Sequence, residues 1–263
     1  MTTGFPDIFQ RAELLLGQQR MERIAAARVI IFGVGGVGSW CAETLIRSGI
    51  GHLTMVDGDE VVASNINRQL MATTATIGQP KVEVLRERLQ LINPEADIRT
   101  VYGRFNADTA ESFHLSEYDY VIDAIDSLTD KALLINTVTR LPHTELFSSM
   151  GAARKFDPAK IRTAEFRKVE GDPLARTLRH KFKQSGTYPA RKFLCVYSDE
   201  VLPNVYKSPD LATGVPANNT QRGVPNGVPA NNMQRGVPNG TLAHITVIFG
   251  NLLASLVLKH ICA

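Results

Sequence analysis

Residues 29–40 read V-I-I-F-G-V-G-G-V-G-S-W, and residues 53–59 read L-T-M-V-D-G-D. The apolar, β-branched run at 29–32 has the length of a buried strand. Gly33, Gly35 and Gly38 follow in G-x-G-x-x-G spacing, with Gly36 between them, and open an apolar helical segment. Backbone that must pass within contact of a phosphate leaves no room for a Cβ, and the helix N-terminus behind it offers unpaired N–H groups to the same spot. Residues 53–56 form a second strand, and Asp57 at its end is placed to accept hydrogen bonds from a ribose. This pattern predicts a nucleotide site.

A glycine fingerprint alone most often means a nicotinamide or flavin enzyme, but the residues downstream point elsewhere. Asp59 follows Asp57 in D-G-D, S-N-I-N-R-Q spans 64–69 with Asn65, Asn67, Arg68 and Gln69, and G-Q-P-K ends in Lys81. The pyrophosphate of a dinucleotide is satisfied by backbone amides, whereas a triphosphate carries enough charge to use side-chain cations and a divalent metal. Arg68 and Lys81 are candidate cations. Read singly, each is equally a solvated surface residue, and it is the ordered set that points to a triphosphate.

Alternating strand and helix signals continue along the chain. Strands are expected at 98–102, 120–122 and 145–149, and helices at 40–47, 82–92 and 132–139, after a helical prelude at 5–26 that includes Phe5. Such alternation predicts a Rossmann-like, doubly wound, mainly parallel sheet with ligands at the carboxyl ends of its strands. In Y-V-I-D-A-I-D-S, Asp123 ends a strand, Asp126 opens the next helix, and both are expected on the sheet edge that carries the glycine loop. Asp126 suits a magnesium ion as a hard oxygen ligand, and it suits equally well the N-cap of the helix.

At 263 residues the chain has room for one large core, and its 44% hydrophobic and 21% charged content is ordinary for a soluble globular protein. Cys41, Cys195 and Cys262 are far apart and form no C-x-x-C pair, so neither a disulfide framework nor a zinc site is expected. With no basic stretch and apolar run at the N-terminus, the reading is a reducing, cytoplasmic compartment. Cys195 lies in a strand-like run as a packed residue or a thioester nucleophile, and Cys41 reads as core. His143, His180 and His244 lack metal spacing or an acid partner and receive no role. The apolar stretch at 242–258 reads as a buried terminal helix, with membrane association as the minor reading.

Two segments stand apart in character. Residues 151–192 hold twelve Lys or Arg against four acids, +8 in a chain of net +3. That is the footprint of a polyanionic partner, or else the solvated charged face of a helical insertion. Phe156, Phe166, Phe182, Tyr188 and Phe193 are interleaved among these charges, most of them expected in the core. Residues 214–239 are a near-perfect tandem repeat of a Gly-, Pro- and Asn-rich unit, differing only at Thr220 and Met233, and expected to be a flexible surface loop.

With these motifs, G-V-G-G-V-G-S, D-G-D, S-N-I-N-R-Q, G-Q-P-K and D-A-I-D-S, the chain resembles the ubiquitin-activating-like adenylyltransferase superfamily over essentially its whole length. The resemblance implies a single ATP-binding domain over 1–263, with a nucleotide-binding core at 28–150 and a basic, substrate-facing extension of mixed strands and a terminal helix at 151–263. In that superfamily a carboxylate attacks the α-phosphate of ATP to give an acyl-adenylate. Carried over, Gly33, Gly35, Gly36 and Gly38 cradle the nucleotide and Asp57 and Asp59 serve it from the next strand. Asn65, Arg68, Gln69 and Lys81 contact phosphate, and Asp126 serves Mg2+. Arg11, in F-Q-R-A-E-L-L-L-G, matches the arginine that members supply across a homodimer interface.

Sulfur-carrier activating members usually carry two C-x-x-C pairs for zinc, which this chain lacks. G-A-A-R-K-F-D-P (151–158), G-D-P-L-A-R-T-L-R (171–179) and C-V-Y-S-D-E (195–200) are instead similar to the tRNA threonylcarbamoyladenosine dehydratase branch. That implies activation of the threonyl carboxylate on adenosine 37 of tRNA, followed by ring closure through the ureido nitrogen. The repeat at 214–239 departs from relatives, and a sulfur-relay partner protein is left open. The competing readings are an adenylyltransferase for a small diglycine-tailed carrier protein, a nicotinamide oxidoreductase and a non-catalytic nucleotide-binding module.

Overall fold

The apolar β-branched runs form strands of four or five residues, and those at the centre of the sheet bury side chains on both sides, as expected for a sheet covered by helices on each face. The computed structural model describes residues 7–205 and 239–263; Phe5 and the tandem repeat, apart from Asn239, lie outside them. The strands are β1 (Arg28–Phe32), β2 (His52–Val56), β3 (Asp97–Val101), β4 (Tyr120–Asp123), β5 (Glu145–Ser149), β6 (Ile161–Glu165) and β7 (Leu194–Ser198). They make one seven-stranded sheet in the order β3-β2-β1-β4-β5-β7-β6. Every neighbouring pair is parallel except β6 and β7. The strand order reverses direction at β1, between β2 and β4, and a doubly wound sheet opens a crevice at such a point. Phe32 lies opposite both Val56 and Asp123, so Gly33, Asp57 and Ala124 leave the sheet at one level.

Successive residues of β1 feed opposite faces. Val29 and Ile31 join a core with α2 (Gln18–Ala26), α3 (Gly38–Arg47), α4 (Lys81–Ile92) and α7 (Ala243–Cys262). Ile30 and Phe32 join another with α5 (Leu128–Val138) and α6 (Pro173–Ser185), where Phe32, Phe105 and Phe113 meet edge to face or tilted. A short helix, α1 (Gln10–Leu16), precedes α2 and buries none of its residues.

The terminal helix α7 is long and apolar enough to cross a membrane, but it packs on α3, α2 and the sheet. Ile245, Phe249, Leu253, Val257 and Ile261 are buried at every fourth position, forming one continuous stripe. Gly250 permits this packing, because a Cβ there would lie 2.5 Å from the Val37 carbonyl oxygen and 2.8 Å from Trp40 Cβ. Beside it the Thr44 hydroxyl donates to Asn251 Oδ1 at 2.7 Å.

Some elements differ in their bounds from the sequence reading. The helix expected at 132–139 begins at Leu128, and the helical insertion read among the charges of 151–192 takes definite bounds as α6. Asp172 caps α6 by accepting from the Ala175 N–H at 2.8 Å, Pro173 occupies its first turn, and Ala175, Leu178 and Phe182 are buried.

Asp123, expected beside the glycine loop, is instead fully buried beneath it. Lys131 Nζ, also fully buried, lies 2.8 Å from Asp123 Oδ2, and the Ser148 hydroxyl donates to the same oxygen at 2.6 Å. The Ile125 N–H donates to Asp123 Oδ1, and Lys131 donates to the Ile125 carbonyl at 3.0 Å. A carboxylate taken so far from water needs this cation, and the pair pins the loop that carries Asp126.

Lys131→Met strands the Asp123 charge and is expected to cost about 3–5 kcal/mol in urea unfolding. The double variant Asp123→Asn/Lys131→Met should recover part of that loss, and an unchanged midpoint in the single variant would refute the pairing. Gly250→Ala should cost about 1–3 kcal/mol through overpacking, and wild-type stability would show that α7 does not seat as described.

Candidate active site

Above the strand ends lies a cavity of about 510 Å³. Its walls include Gly33, Gly35 and Gly36 after β1, Asp57 and Asp59 after β2, Asp126 after β4, and Ser149–Ala153 after β5. Arg68, Gln69, Lys81 and Arg104 enter from loops and from the start of α4, and Asn239, Thr241 and Thr246 from the C-terminal region. The ends of β2 and β5 are separated by β1 and β4, so the cavity spans three strand spacings, about 14 Å.

Two glycines make this opening possible. Gly33 has φ +86, and a Cβ on it would lie 2.6 Å from the Ala124 carbonyl oxygen. A Cβ on Gly38, which does not line the cavity, would collide with the Gly33 carbonyl oxygen. The turn therefore closes only with hydrogen at both positions.

Asp57 is anchored through both oxygens: the Val34 N–H donates to Oδ2 and the Asp59 N–H to Oδ1, each at 2.9 Å. Burial pushes its carboxyl above the usual range, with Lys81 opposing. Lys81 reaches the site because the G-Q-P-K segment clips onto residues 59–61. The Val61 N–H donates to the Gln79 carbonyl, the Gly78 N–H to that of Val61, and the Lys81 N–H to that of Asp59. Lys81 Nζ, 7% exposed in its side chain, then lies 3.0 Å from Asp59 Oδ2, and Arg104 lies 2.6 Å from Asp59 Oδ1. Burial raises the Asp59 carboxyl, but the two cations outweigh it and hold the group below its usual range.

Arg68 is held differently. Its guanidinium donates to the Ser64 carbonyl at 2.7 Å and to Asn67 Oδ1 at 2.9 Å, and among the described residues no carboxylate pairs with it. Burial alone lowers its pKa, as it does for a cation that has lost water without gaining an anion. Its carbonyl accepts from Trp40 Nε1 on α3 and from the Thr246 hydroxyl on α7, which fixes the loop. Gln69, 7% exposed, leaves its buried Oε1 without a partner. Such a wall of cations and open acceptors is suited to a ligand carrying several negative charges and hydroxyls.

Of the other expected residues, Asn65 and Arg11 fall outside the cavity and Asp126 lines it. Asn65 is buried behind it: its side chain accepts from the Val62 N–H, and its carbonyl accepts from Arg68 and Gln69, so it shapes the loop. Arg11 lies on the exposed α1, away from the cavity walls. Asp126 is an exposed carboxylate in the wall, outside α5, whose N-cap Ser127 makes no side-chain capping bond. Cys195 is fully buried in β7, with burial pushing its thiol well above the usual range, which makes it a packed residue. Cys41 is likewise core.

The sequence reading missed Arg104 and Lys131. Arg104 sits in an irregular loop with no motif around it, and only the fold brings it to Asp59. Of the twelve basic residues at 151–192, several are structural. Lys155 is buried, donating to the Ser198 and Glu200 carbonyls. Arg162 pairs with Asp199, Arg191 with Glu145, and Arg179 bonds the Phe166 and Val169 carbonyls. Arg167, Lys168, Arg176, Lys183 and Lys192 are exposed. Phe166, Phe182 and Phe193 are core, whereas Phe156 and Tyr188 are exposed.

The chain is similar to proteins whose site can be compared with this one. It is 39% identical over 192 residues to the tRNA threonylcarbamoyladenosine dehydratase of Bacillus subtilis, covering 73% of this chain and 74% of the relative. The crystal structure of Escherichia coli tRNA N6-threonylcarbamoyladenosine dehydratase in complex with ATP superposes with a TM-score of 0.78 at 32% identity, covering 96% of this chain and 93% of the other. A sulfur carrier protein adenylyltransferase of Thermus thermophilus is 32% identical over 153 residues, covering 57% of this chain and 55% of that one. The ThiF family model matches residues 9–263, and the chain belongs to the ThiF family.

Proposed function

We propose that the protein uses ATP to dehydrate threonylcarbamoyladenosine in tRNA. The observation that carries this reading is the two-ended cavity: Asp57, Arg68 and Lys81 gather toward β1 and β2, and the G-A-A segment of the branch motif lines the β5 end. ATP occupies the first end, with its ribose at Asp57 and its phosphates at Arg68, Lys81 and the glycine loop. The threonyl carboxylate enters from the second.

The carboxylate oxygen attacks the α-phosphorus and pyrophosphate leaves with the electrons of the broken P–O bond. The ureido nitrogen of the same modification then attacks the acyl carbon, loses its proton and expels AMP. The base has lost one water, which ATP has taken up in becoming AMP and pyrophosphate. This route needs no side-chain nucleophile, in keeping with the buried Cys195. Arg68 and Lys81 offset charge as it moves onto the bridging oxygen of the leaving pyrophosphate.

Asp126, exposed in the wall with no partner among the described residues, fits a magnesium ion that is held mainly by phosphate oxygens and one or two carboxylates. The ion would supply further charge neutralisation on the phosphates. Arg11 acts in a homodimer. Leu14 and Leu15 beside it are 82% and 81% exposed, an apolar surface that a second subunit would cover while bringing Arg11 to the partner's phosphates. The site of action is the cytoplasm, where the tRNA is.

Nucleoside mass spectrometry of threonylcarbamoylated tRNA incubated with the protein, ATP and magnesium should show loss of one water mass. An unchanged nucleoside, together with pyrophosphate release stimulated by a diglycine-tailed carrier protein, would favour carrier adenylation instead. Arg68→Ala and Lys81→Ala should each lower pyrophosphate release about 10²-fold, and retained activity would refute their phosphate role. Mixing Arg11→Ala with an Asp126→Ala subunit that keeps Arg11 should restore activity. No recovery in demonstrably mixed dimers would refute an arginine supplied in trans.

A further inference from the structure

Phe156 is an aromatic side chain that the fold holds in water. It is 62% exposed, although the other phenylalanines of its segment, Phe166, Phe182 and Phe193, are all buried. Its backbone is nonetheless pinned on both sides. Its N–H and that of Asp157 donate to one oxygen of Glu200, at 2.6 and 2.9 Å, and its carbonyl is 2.9 Å from His244 Nε2. The His244 and phenyl rings meet in a T shape, 5.8 Å between centroids and 84° between planes. Preceding it, Arg154 adopts φ +63, with its N–H donating to the Gly240 carbonyl and its Nε to that of Leu202. A loop that merely crossed the surface would have no reason to fix an apolar ring so firmly in solvent.

Its position relative to the cavity is set from two directions. Ala153 lines the β5 end of the cavity, and Phe156 follows three residues later, within about 11 Å along the chain. Thr241 also lines the cavity, and His244, in the first turn of α7, again follows by three. The Phe156–His244 pair therefore lies close to the cavity wall, three residues from Ala153 on one segment and three from Thr241 on the other.

Single-stranded RNA loops are recognised largely by unstacking bases onto exposed aromatic faces. We infer that Phe156 is a stacking platform for the unpaired base adjoining the modified adenosine in the tRNA loop. This rests on tRNA being the substrate. The platform takes a planar base of any identity, so it contributes affinity and placement and leaves the sequence unread. His244 acts as a positioning residue, holding the Phe156 carbonyl and packing against its ring.

The test measures tRNA binding and the KM for tRNA and for ATP in wild type, Phe156→Ala and Phe156→Trp, using threonylcarbamoylated tRNA with 2-aminopurine at the neighbouring nucleotide. Phe156→Ala should weaken tRNA binding and raise its KM on the order of tenfold or more, with ATP KM unchanged. Phe156→Trp should restore both. Fluorescence should be quenched on binding to wild type and Phe156→Trp and stay bright with Phe156→Ala. His244→Ala should raise the KM for tRNA less than Phe156→Ala does and leave that for ATP alone. Wild-type tRNA affinity and quenching in Phe156→Ala would overturn the platform while dehydration by wild type still stood. A wild-type protein that neither binds nor dehydrates this tRNA would overturn the reading of function, and the platform with it.

Discussion

Three backbone segments meet almost without intervening atoms at the carboxyl end of the sheet: Gly33 against the Ala124 carbonyl, and Gly38 against Gly33 itself. A methyl group at either position would push β1, β4 and α3 apart. Because Phe32 is in register with Val56 and Asp123, this contact also sets the level at which Asp57 and the Asp126 loop leave the sheet. The crevice, the helix N-terminus aimed at it and the carboxylate at its side all follow from that close approach.

The site above it is charged before any ligand arrives, and its charges are restrained in two ways. Lys81 and Arg104 share the Asp59 carboxylate, which keeps both cations placed. Arg68 is oriented by neutral acceptors and keeps an uncompensated charge in a half-buried setting. An anion entering the cavity would pair with that desolvated cation and so gain more than it would from a solvated arginine. A neutral or singly charged ligand would gain little from the arrangement.

The C-terminal helix joins the site to the core. Arg68 and Thr246 are far apart in sequence, but the Arg68 carbonyl accepts from Thr246 on α7 and from Trp40 on α3. The packing of α7 on α3, permitted at Gly250, therefore reaches the Arg68 loop of the cavity wall as well as stabilising the fold. On the other flank, the loop after β5 runs from the cavity wall at Ala153 to the exposed Phe156, so one segment links the cavity to the outer surface.

The residues whose role is local could be read from sequence alone. The glycine spacing, the strand that ends in Asp57, the alternation of strands and helices and the apolar stripe of the last helix depend on neighbours a few positions away. They were enough to establish a doubly wound sheet and a chain of this family, and to place a candidate site at the carboxyl edge of that sheet. What depends on distant partners was decided only by the tertiary structure. Arg104 gains its place through Asp59, 45 residues away, and Asp123 became a buried ion pair because α5 and β5 bring Lys131 and Ser148 to it. Asn65 turned inward to hold its own loop, and part of the basic segment was drawn into structural bonds at Lys155, Arg179 and Arg191. A charge in sequence has no fixed surroundings, and its pairing, burial and meaning are set by which elements the fold lays beside it.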